Sequence, residues 1–243
     1  MRRFSQGDAI YSQGDAADSV YNLDSGWIGL HQDMVDGRRH ISKFLLPGAL
    51  FGVEPKNVPH GQSATALTAV TLRAIPVSHF NHLRHDPCFN ERLLLMLTCE
   101  NYMATEALTA MSRGTAIERV ARLLCELTTR LTEPGTDSNS IAIKVPLTQR
   151  VIADATGLTS IHVNRVIGRL RAKHLVELRD GVMVVDDLKR LTVFAGVSTS
   201  LRKVWRIGIA FSPPLRFRRQ PPADNSLAGA CSAAAGWSHF SNN

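Results

Sequence analysis

Residues 146–173 constrain the fold of this chain more than any other stretch, because they predict two short helices joined by a tight turn. Thr148 is a residue type that favours the position before a helix, and Gly157 readily adopts the left-handed backbone conformation that ends one. A second helix follows at once, with Thr159 or Ser160 as its cap. Its predicted buried stripe consists of Val163, Val166, Ile167 and Leu170. This pattern is typical of a helix-turn-helix.

The spacing of residues 146–173 alone fits either a helix-turn-helix or a plain helical hairpin. Residues 175–185 favour the first of these. The segment consists of two largely β-branched runs on either side of Asp180-Gly181. An Asp-Gly pair between such runs is a strong signal for a β-hairpin with a two-residue turn. A helix-turn-helix followed by a hairpin is the arrangement of a winged helix.

The net charge of +7 is unevenly distributed. Residues 1–145 carry 14 basic and 15 acidic side chains, residues 146–194 carry 8 and 5, and residues 195–243 carry 6 and 1. The middle segment suits contact with phosphate groups, although a solvated helix face would have a similar charge. Its basic residues in and just after the two helices are Arg150, Arg165, Arg169, Arg171 and Lys173.

The cysteines and histidines form no pattern typical of a metal site. No Cys-x-x-Cys pair occurs among the scattered cysteines, which are Cys88, Cys99, Cys125 and Cys231. Neither zinc nor an iron–sulfur cluster is therefore indicated. A run of His79, His82, His85 and Cys88 has steps of three residues, which would spread the side chains around a helix instead of making them converge. We expect no metal site and no evident cofactor.

Length and composition indicate two domains in an aqueous compartment. The 243 residues are 44% apolar, which is enough to supply a core for each of two domains. No apolar stretch is long enough to span a bilayer, and the first residues are not followed by an apolar signal-peptide core. We therefore expect a cytoplasmic protein without a membrane partner.

The N-terminal part of the chain, from Phe4 to Pro76, contains short β-type runs separated by glycine-rich breakers. Strands at this spacing predict an antiparallel sandwich or roll. Four motifs of this region resemble those of a known family: Gly7-Asp8-x-Ile10-Tyr11-x-x-Gly14-Asp15, Tyr21-x-Leu23-x-Ser25-Gly26, Asp36-Gly37-Arg38-Arg39-x-Ile41 and Leu46-Pro47-Gly48-x-Leu50-Phe51-Gly52. With the stretch from Leu147 to Arg165, they resemble the effector-binding β-roll and the helix-turn-helix of the Crp/Fnr family of bacterial transcription regulators, over roughly residues 4–192.

The resemblance implies an α+β fold in three parts. Residues 1–86 would form an antiparallel β-roll of the cyclic-nucleotide-binding type, residues 87–131 dimerisation and connecting helices, and residues 132–194 a winged helix-turn-helix. Residues 195–243 show no helical periodicity. Their composition predicts a disordered basic tail, or alternatively a basic arm that adds nonspecific DNA affinity. The family resemblance also implies a homodimer that binds double-stranded promoter DNA of two-fold symmetry, contacts RNA polymerase and responds to an effector or redox signal.

The expected effector pocket departs from the family pattern. Cyclic-nucleotide-binding members hold the ribose with a Gly-Glu pair and the phosphate with an Arg-Ser pair. The matching positions here are Gly52, Glu54, Gln62 and Ser63, so the glutamate is displaced by one position and glutamine replaces the arginine. Because a buried phosphate would then lack a neutralising charge, we expect no binding of cyclic AMP. The sequence leaves three alternatives for the effector: haem, another small molecule, or none.

The resemblance also assigns DNA-contacting residues. The second helix would lie in the major groove, where Arg165 has the donor fork to grip a guanine and Asn164 can pair with adenine. Ile161 replaces a glutamate that is common in the family, and it suits a thymine methyl group instead. Thr148 and Gln149 are placed for phosphates. The remaining candidates on the second helix are Ser160, His162 and Arg169. The alternative for Arg165 is a backbone phosphate contact.

Two helices are predicted between the roll and the winged helix, over residues 89–111 and 115–131. One stripe of the first helix has three-four spacing: Leu94, Leu97, Asn101, Ala104, Leu108 and Met111. An adjoining stripe consists of Leu93, Met96, Met103 and Ala107. Since a monomer would not cover both, we expect one stripe on the roll and the other in a dimer seam.

A sequence-specific transcription regulator without catalytic activity is the leading hypothesis. The alternative is a small-molecule-binding module that acts on a protein partner through the roll alone, and the winged helix disfavours it. An enzyme is disfavoured further, because no Ser/His/Asp, paired-carboxylate or phosphate-loop arrangement is local in the sequence.

Overall fold

The computed structural model describes residues 1–133 and 140–210. Its elements, in chain order, are β1 (Arg2–Phe4), β2 (Ala9–Tyr11), β3 (Ser19–Ser25), β4 (Ile28–Asp33), β5 (Arg39–Leu45), β6 (Leu50–Phe51), β7 (Ser63–Ala66), β8 (Val70–Pro76), α1 (Val77–Leu83), α2 (Pro87–Arg113), α3 (Ala116–Leu131), β9 (Ile141–Lys144), α4 (Gln149–Thr156), α5 (Ser160–Ala172), β10 (Val176–Arg179), β11 (Val182–Val185), α6 (Leu188–Phe194) and α7 (Thr199–Ala210). They form an N-terminal roll, the long helix α2 and a C-terminal domain that includes α3.

Two four-stranded antiparallel sheets form the roll, with strand orders β1-β8-β3-β6 and β2-β7-β4-β5. Their shared core contains Leu23, Ile28, Leu45 and Leu72, which are fully buried. Burying side chains of this size stabilises the fold by about 1.5–3 kcal/mol each. The predicted antiparallel roll is confirmed.

The turn at Gly26 carries the chain from one sheet to the other, because β3 and β4 belong to different sheets. Its φ of +91° is in the left-handed region, and a Cβ at this position would lie only 2.3 Å from the carbonyl oxygen of Ala69. Trp27 N donates to Thr68 Oγ1 at 3.0 Å just after the turn. Only glycine therefore fits at the crossing.

Helix α2 is longer than the predicted 89–111. Asp86 caps its start by accepting a hydrogen bond from Phe89 N at 2.9 Å, and Pro87 occupies the first helical position, where its missing N–H costs nothing. The helix continues to Arg113. In the part of the chain that the structure describes, neither α2 nor any other helix is long and apolar enough to cross a membrane.

One face of α2 packs on the roll and another is exposed. Leu93 lies in a buried cluster with Val20, Ile75 and Phe80. The predicted seam lies on the exposed side, where the exposed fractions of the leucines are 64% for Leu94, 45% for Leu97 and 70% for Leu108. The chain thus covers one of the two apolar stripes.

The C-terminal domain packs α3, α4, α5 and α6 against the three-stranded sheet β10-β11-β9. Helix α3 begins with a capping box, in which Thr115 N donates to Glu118 Oε2 at 2.8 Å. The large, fully buried side chains that α3–α6 and the sheet contribute to this core include Leu124, Leu127, Ile152, Leu170, Met183 and Leu191. The predicted winged helix-turn-helix is confirmed.

The prediction of a disordered tail from residue 195 is wrong for its first part. Residues 199–210 form α7, which packs on α2 and α3. Leu201 and Trp205, one helical turn apart, are buried in the core, and so is Val197 before the helix. One tryptophan supplies a large apolar area, so a short stripe is sufficient to hold a basic helix. Residues 211–243 lie outside the described residues, and the prediction for them stays untested.

Candidate nucleic-acid interface

Two capped helices and a left-handed glycine form the helix-turn-helix. Thr148 Oγ1 accepts from Val151 N at 3.2 Å at the start of α4, and Gly157 ends that helix with a φ of +66°. Thr159 Oγ1 then accepts from His162 N at 3.2 Å. Of the two candidate caps, Thr159 is therefore the cap, and Ser160 is the first residue of α5.

Helix α5 has one buried and one exposed face. Val163, Val166 and Leu170 are buried in the domain core, while Ile167 is only half-buried. The exposed side carries the DNA-contacting candidates Ile161, His162, Asn164, Arg165 and Arg169, and Ser160 is half-buried. Ile161 is 69% exposed, so its apolar side chain is accessible to a ligand. The N-terminal part of α5 thus offers both apolar and hydrogen-bonding groups to a ligand.

A cleft of about 350 Å³ brings the start of α4, the side of α5 and the wing together. Thr148 and Gln149 line it from α4, and Asn164 lines it from α5. Arg171, one of the basic residues expected to suit phosphate contact, also lines it, and so does the wing residue Arg179, which was not among the predicted contacts. The sequence signal for Arg179 is its place beside the Asp180-Gly181 turn, whose two residues both have positive φ.

The basic side chains of α5 form no ion pairs with the described part of the chain. Within residues 1–133 and 140–210, no carboxylate forms an ion pair with Arg165, Arg169 or Arg171. Unpaired guanidinium groups on an exposed helix face create a positive potential that attracts phosphate groups.

Replacing Thr159 by alanine is expected to cost about 1 kcal/mol of unfolding free energy, because the amide of His162 loses its cap acceptor. Urea denaturation without DNA measures this cost. Ser160→Ala is the matched control, and we expect a change within about 0.5 kcal/mol because its side chain is not the cap. A larger cost for Ser160→Ala than for Thr159→Ala would contradict the assigned cap.

The roll touches the helix-turn-helix directly. Strand β5 packs on α4, and His40 Nδ1 lies 3.2 Å from the carbonyl oxygen of Asp154. Arg119 of α3 donates through Nη1 to the carbonyl oxygen of Thr156 at 3.0 Å. The last turn of α4 is therefore held by both the roll and α3, which fixes how α5 is presented.

Three of the four predicted effector residues, Gly52, Glu54 and Ser63, contact neighbouring parts of the roll. Glu54 Oε1 accepts from Gly61 N at 3.3 Å and lies 3.5 Å from His60 Nδ1. Ser63 Oγ accepts from the amide of Gln13 at 2.9 Å. Gly52 has a φ of +74°, and a Cβ there would lie 2.9 Å from Tyr21 Cδ2. These three residues hold the roll's own loops.

Gln62, the fourth of these residues, lines a cavity. Its Nε2 donates to Ser42 Oγ at 2.7 Å, so the amide is engaged within the protein. The cavity has a volume of about 380 Å³ and lies between the roll, α2, α3 and the end of α4. Lys43 and Glu100 form an ion pair at its wall, and burial lowers the pKa of Lys43. The space is large enough for a small molecule.

Aromatic rings and a histidine fill the interior near Glu54. The ring centroids of Tyr11 and His60 are 3.7 Å apart in a stacked arrangement, and Tyr21 stacks with Phe51 at 5.3 Å. Burial, followed by the charge of Glu54, raises the pKa of Tyr11. Glu54 thus lies against His60, whose ring stacks with that of Tyr11.

Comparison with known proteins matches each of the two halves of the chain to a family of domains. Residues 1–86 match the family model of a cyclic nucleotide-binding domain, and residues 118–194 match that of a Crp-like helix-turn-helix domain. The nitrogen fixation regulation protein FixK of Rhizobium meliloti is 32% identical over 186 residues, which cover 76% of this chain and 82% of FixK. The chain belongs to the Crp/Fnr family. It is a transcription regulator with a helix-turn-helix DNA-binding domain.

Other Crp/Fnr proteins agree with this assignment. The transcriptional activatory protein AadR of Rhodopseudomonas palustris is 32% identical, over 79% of this chain and 80% of AadR. The solved structure of FixK2 from Bradyrhizobium japonicum superposes with a TM-score of 0.71 at 27% identity, and the match covers 79% of this chain and 95% of FixK2. The predicted family resemblance and fold class are confirmed.

Proposed function

We propose that this Crp/Fnr regulator binds two-fold symmetric promoter DNA as a homodimer, with α5 of each protomer in a major groove. The observation that carries the proposal is the exposed N-terminal half of α5, held in place by the buried Val163 and Val166. Thr148, Gln149, Ser160, Ile161, His162, Asn164, Arg165 and Arg169 are the proposed contacts. Selection of binding sites from random DNA tests the proposal, and recovery of an inverted repeat is the expected result.

The exposed stripe of α2 supports the homodimer. Leu94, Leu97 and Leu108 lie on one side of a 27-residue helix and have no cover in the described part of the chain. An apolar stripe of this length is typical of a helix that pairs with a second copy of itself. The native mass in solution is expected to be twice the 26.7 kDa of one chain.

The proposed output is control of transcription through RNA polymerase in the cytoplasm, without catalysis and without a membrane partner. Two relatives support an activating role by their names, the transcriptional activatory protein AadR and the transcriptional activator protein Anr of Pseudomonas protegens. Transcription with purified RNA polymerase from a promoter that carries the selected repeat tests this output. An unchanged transcript level at saturating protein would contradict it.

The 380 Å³ cavity between the roll and α2–α3 is the proposed effector site, with Gln62 in its wall. Helices α2 and α3 both line it, so an occupant would contact the helix that forms the dimer as well as the helix that leads to the DNA-binding domain. Haem or another small effector is the proposed class of occupant. An absorption spectrum and the native mass of the freshly purified protein distinguish a haem from a colourless metabolite.

Cyclic AMP is expected to leave DNA affinity unchanged. Gln62 has no charge to neutralise a phosphate and is engaged with Ser42, while Glu54 lies against His60. Titration calorimetry and DNA-binding curves at millimolar cyclic AMP check this prediction. Saturable heat together with a shifted DNA-binding curve would show that the pocket accepts a phosphate without an arginine.

The half-site is expected to carry a thymine where α5 places Ile161. An exposed isoleucine offers no hydrogen bond, and the thymine methyl group is the one base feature that prefers an apolar contact. Site selection with Ile161→Glu provides the contrast, because a carboxylate accepts from the cytosine amine and should change the preference at that base pair alone. Identical selected sites for the two proteins would contradict this placement of Ile161.

A further inference from the structure

A second cavity lies beside the start of α2. It has a volume of about 330 Å³ and shares no lining residue with the proposed effector cavity. The chain lines it with apolar side chains from β6, α1 and α2, which are Leu50, Leu83, Phe89, Leu93 and Met96. A largely apolar space of this size with a few polar groups is typical of a site for a small molecule.

Asn22 supplies a buried polar group to this cavity. Its side chain is on β3, is only 2% exposed, and donates through Nδ2 to the carbonyl oxygens of Gly48 at 3.1 Å and Ala49 at 3.4 Å. These two acceptors fix the orientation of the amide, because only its nitrogen can donate to them. Oδ1 is left buried and without a hydrogen-bond partner. Asn22 is one of the residues that line the cavity, and buried acceptors are nearly always satisfied, so a ligand donor that enters beside Asn22 would supply the missing partner.

Arg92 supplies a positive charge to the same cavity. It lines the space from α2, is exposed to solvent, and forms no ion pair within the described residues. Asp86 supplies a carboxylate to the wall, and this carboxylate caps α2 by accepting a hydrogen bond from Phe89 N at 2.9 Å. A guanidinium group that is free in this way is a strong donor for a carboxylate.

We propose that this cavity binds a small amphipathic acid. The apolar body of the ligand would contact Leu50, Leu93 and Met96, its carboxylate would pair with Arg92, and a hydroxyl or N–H group would donate to Asn22 Oδ1. The site shares no lining residue with the effector cavity, and it is tested on the protein without DNA. Because Leu93 and Met96 belong to α2, an occupant would join the roll to the first turns of the proposed dimer helix.

The probe is ω-hydroxydecanoate, a flexible chain that carries one carboxylate and one hydroxyl group. Decanoate lacks the donor for Asn22, and decanediol lacks the charge for Arg92. Methyl NMR of the full-length protein labelled at methionine reports where the probe binds. Met96 lines this cavity, whereas Met103 and Met111 line the effector cavity and Met183 lies in the core of the C-terminal domain.

We expect a saturable shift of the Met96 methyl signal, and weaker binding of both decanoate and decanediol. Arg92→Glu should lower the affinity for ω-hydroxydecanoate at least about tenfold and leave that for decanediol unchanged, because only the acid uses the charge. Arg84→Glu is the matched control, since Arg84 is exposed nearby but does not line the cavity. The affinity of that variant should equal the wild-type value.

Three results would overturn the proposal. The first is a shift confined to Met103 and Met111, which would place the probe in the effector cavity. The second is the absence of any saturable shift at millimolar probe. The third is an unchanged affinity of the acid for the Arg92→Glu protein, which is expected to fold normally because the side chain is on the surface.

Discussion

Arg165→Ala is expected to weaken binding to the selected DNA site by about 1–3 kcal/mol and to relax the base preference at one base pair per half-site. Arg165 is exposed on α5, two residues after the buried Val163 and one before the buried Val166. This burial fixes the rotation of the helix, so the guanidinium group projects from a defined position. Its two parallel donors match O6 and N7 of guanine, a pair of acceptors that no other base presents in the major groove.

The control for Arg165 is Arg171→Ala. Arg171 is exposed farther along α5 and lines the cleft between α4, α5 and the wing, where a phosphate contact is the expected role. Its loss should weaken all sequences alike and reduce the salt dependence of binding by about one phosphate contact. Site selection with the wild type and both variants separates the two roles. If the Arg165→Ala protein selects the same bases as the wild type, then Arg165 contacts only the backbone.

The parts of the fold that could be predicted from the sequence are those that depend on local signals. Caps and left-handed glycines act within a few residues, so Thr148 and Gly157 locate α4 and its end correctly. The alternation of β-branched residues around Asp180-Gly181 likewise locates the wing. Where two adjacent residues can both cap a helix, as Thr159 and Ser160 can, the sequence left the choice open, because only the backbone geometry decides which hydroxyl reaches the amide.

The parts that could not be predicted depend on contacts between distant segments. Helix α7 is held in place because Trp205 is buried against elements that precede it by many residues. A basic sequence with a short apolar stripe contains no local signal that predicts this contact. The surroundings of the predicted effector residues also depend on distant segments of the chain. Gly52, Glu54 and Ser63 match family positions, but their side chains or backbone hold neighbouring loops, and the cavity at Gln62 is completed by α2 and α3.

Leu108→Glu is expected to convert the protein into a monomer and to abolish tight binding to the inverted repeat. Leu108 is 70% exposed on α2, so the folded chain tolerates the change. In a two-fold dimer each substitution occurs twice, and burying a leucine is worth about 1.5–3 kcal/mol, so the loss is about 3–6 kcal/mol. A loss of 3 kcal/mol already raises the dimer dissociation constant about 100-fold. Sedimentation over a range of concentrations measures the change.

Tyr102→Glu is the matched control for Leu108→Glu. Tyr102 is also exposed on α2, but it lies roughly a third of a turn around the helix from the predicted seam. It introduces the same charge, so a general effect of added glutamate on α2 would appear in both proteins. We expect the Tyr102→Glu protein to remain a dimer and to bind the repeat. A dimeric Leu108→Glu protein, or a wild type that sediments as a monomer at micromolar concentration and still binds the repeat tightly, would refute the seam, because two copies of α5 can be held at a fixed spacing only by an interface between protomers.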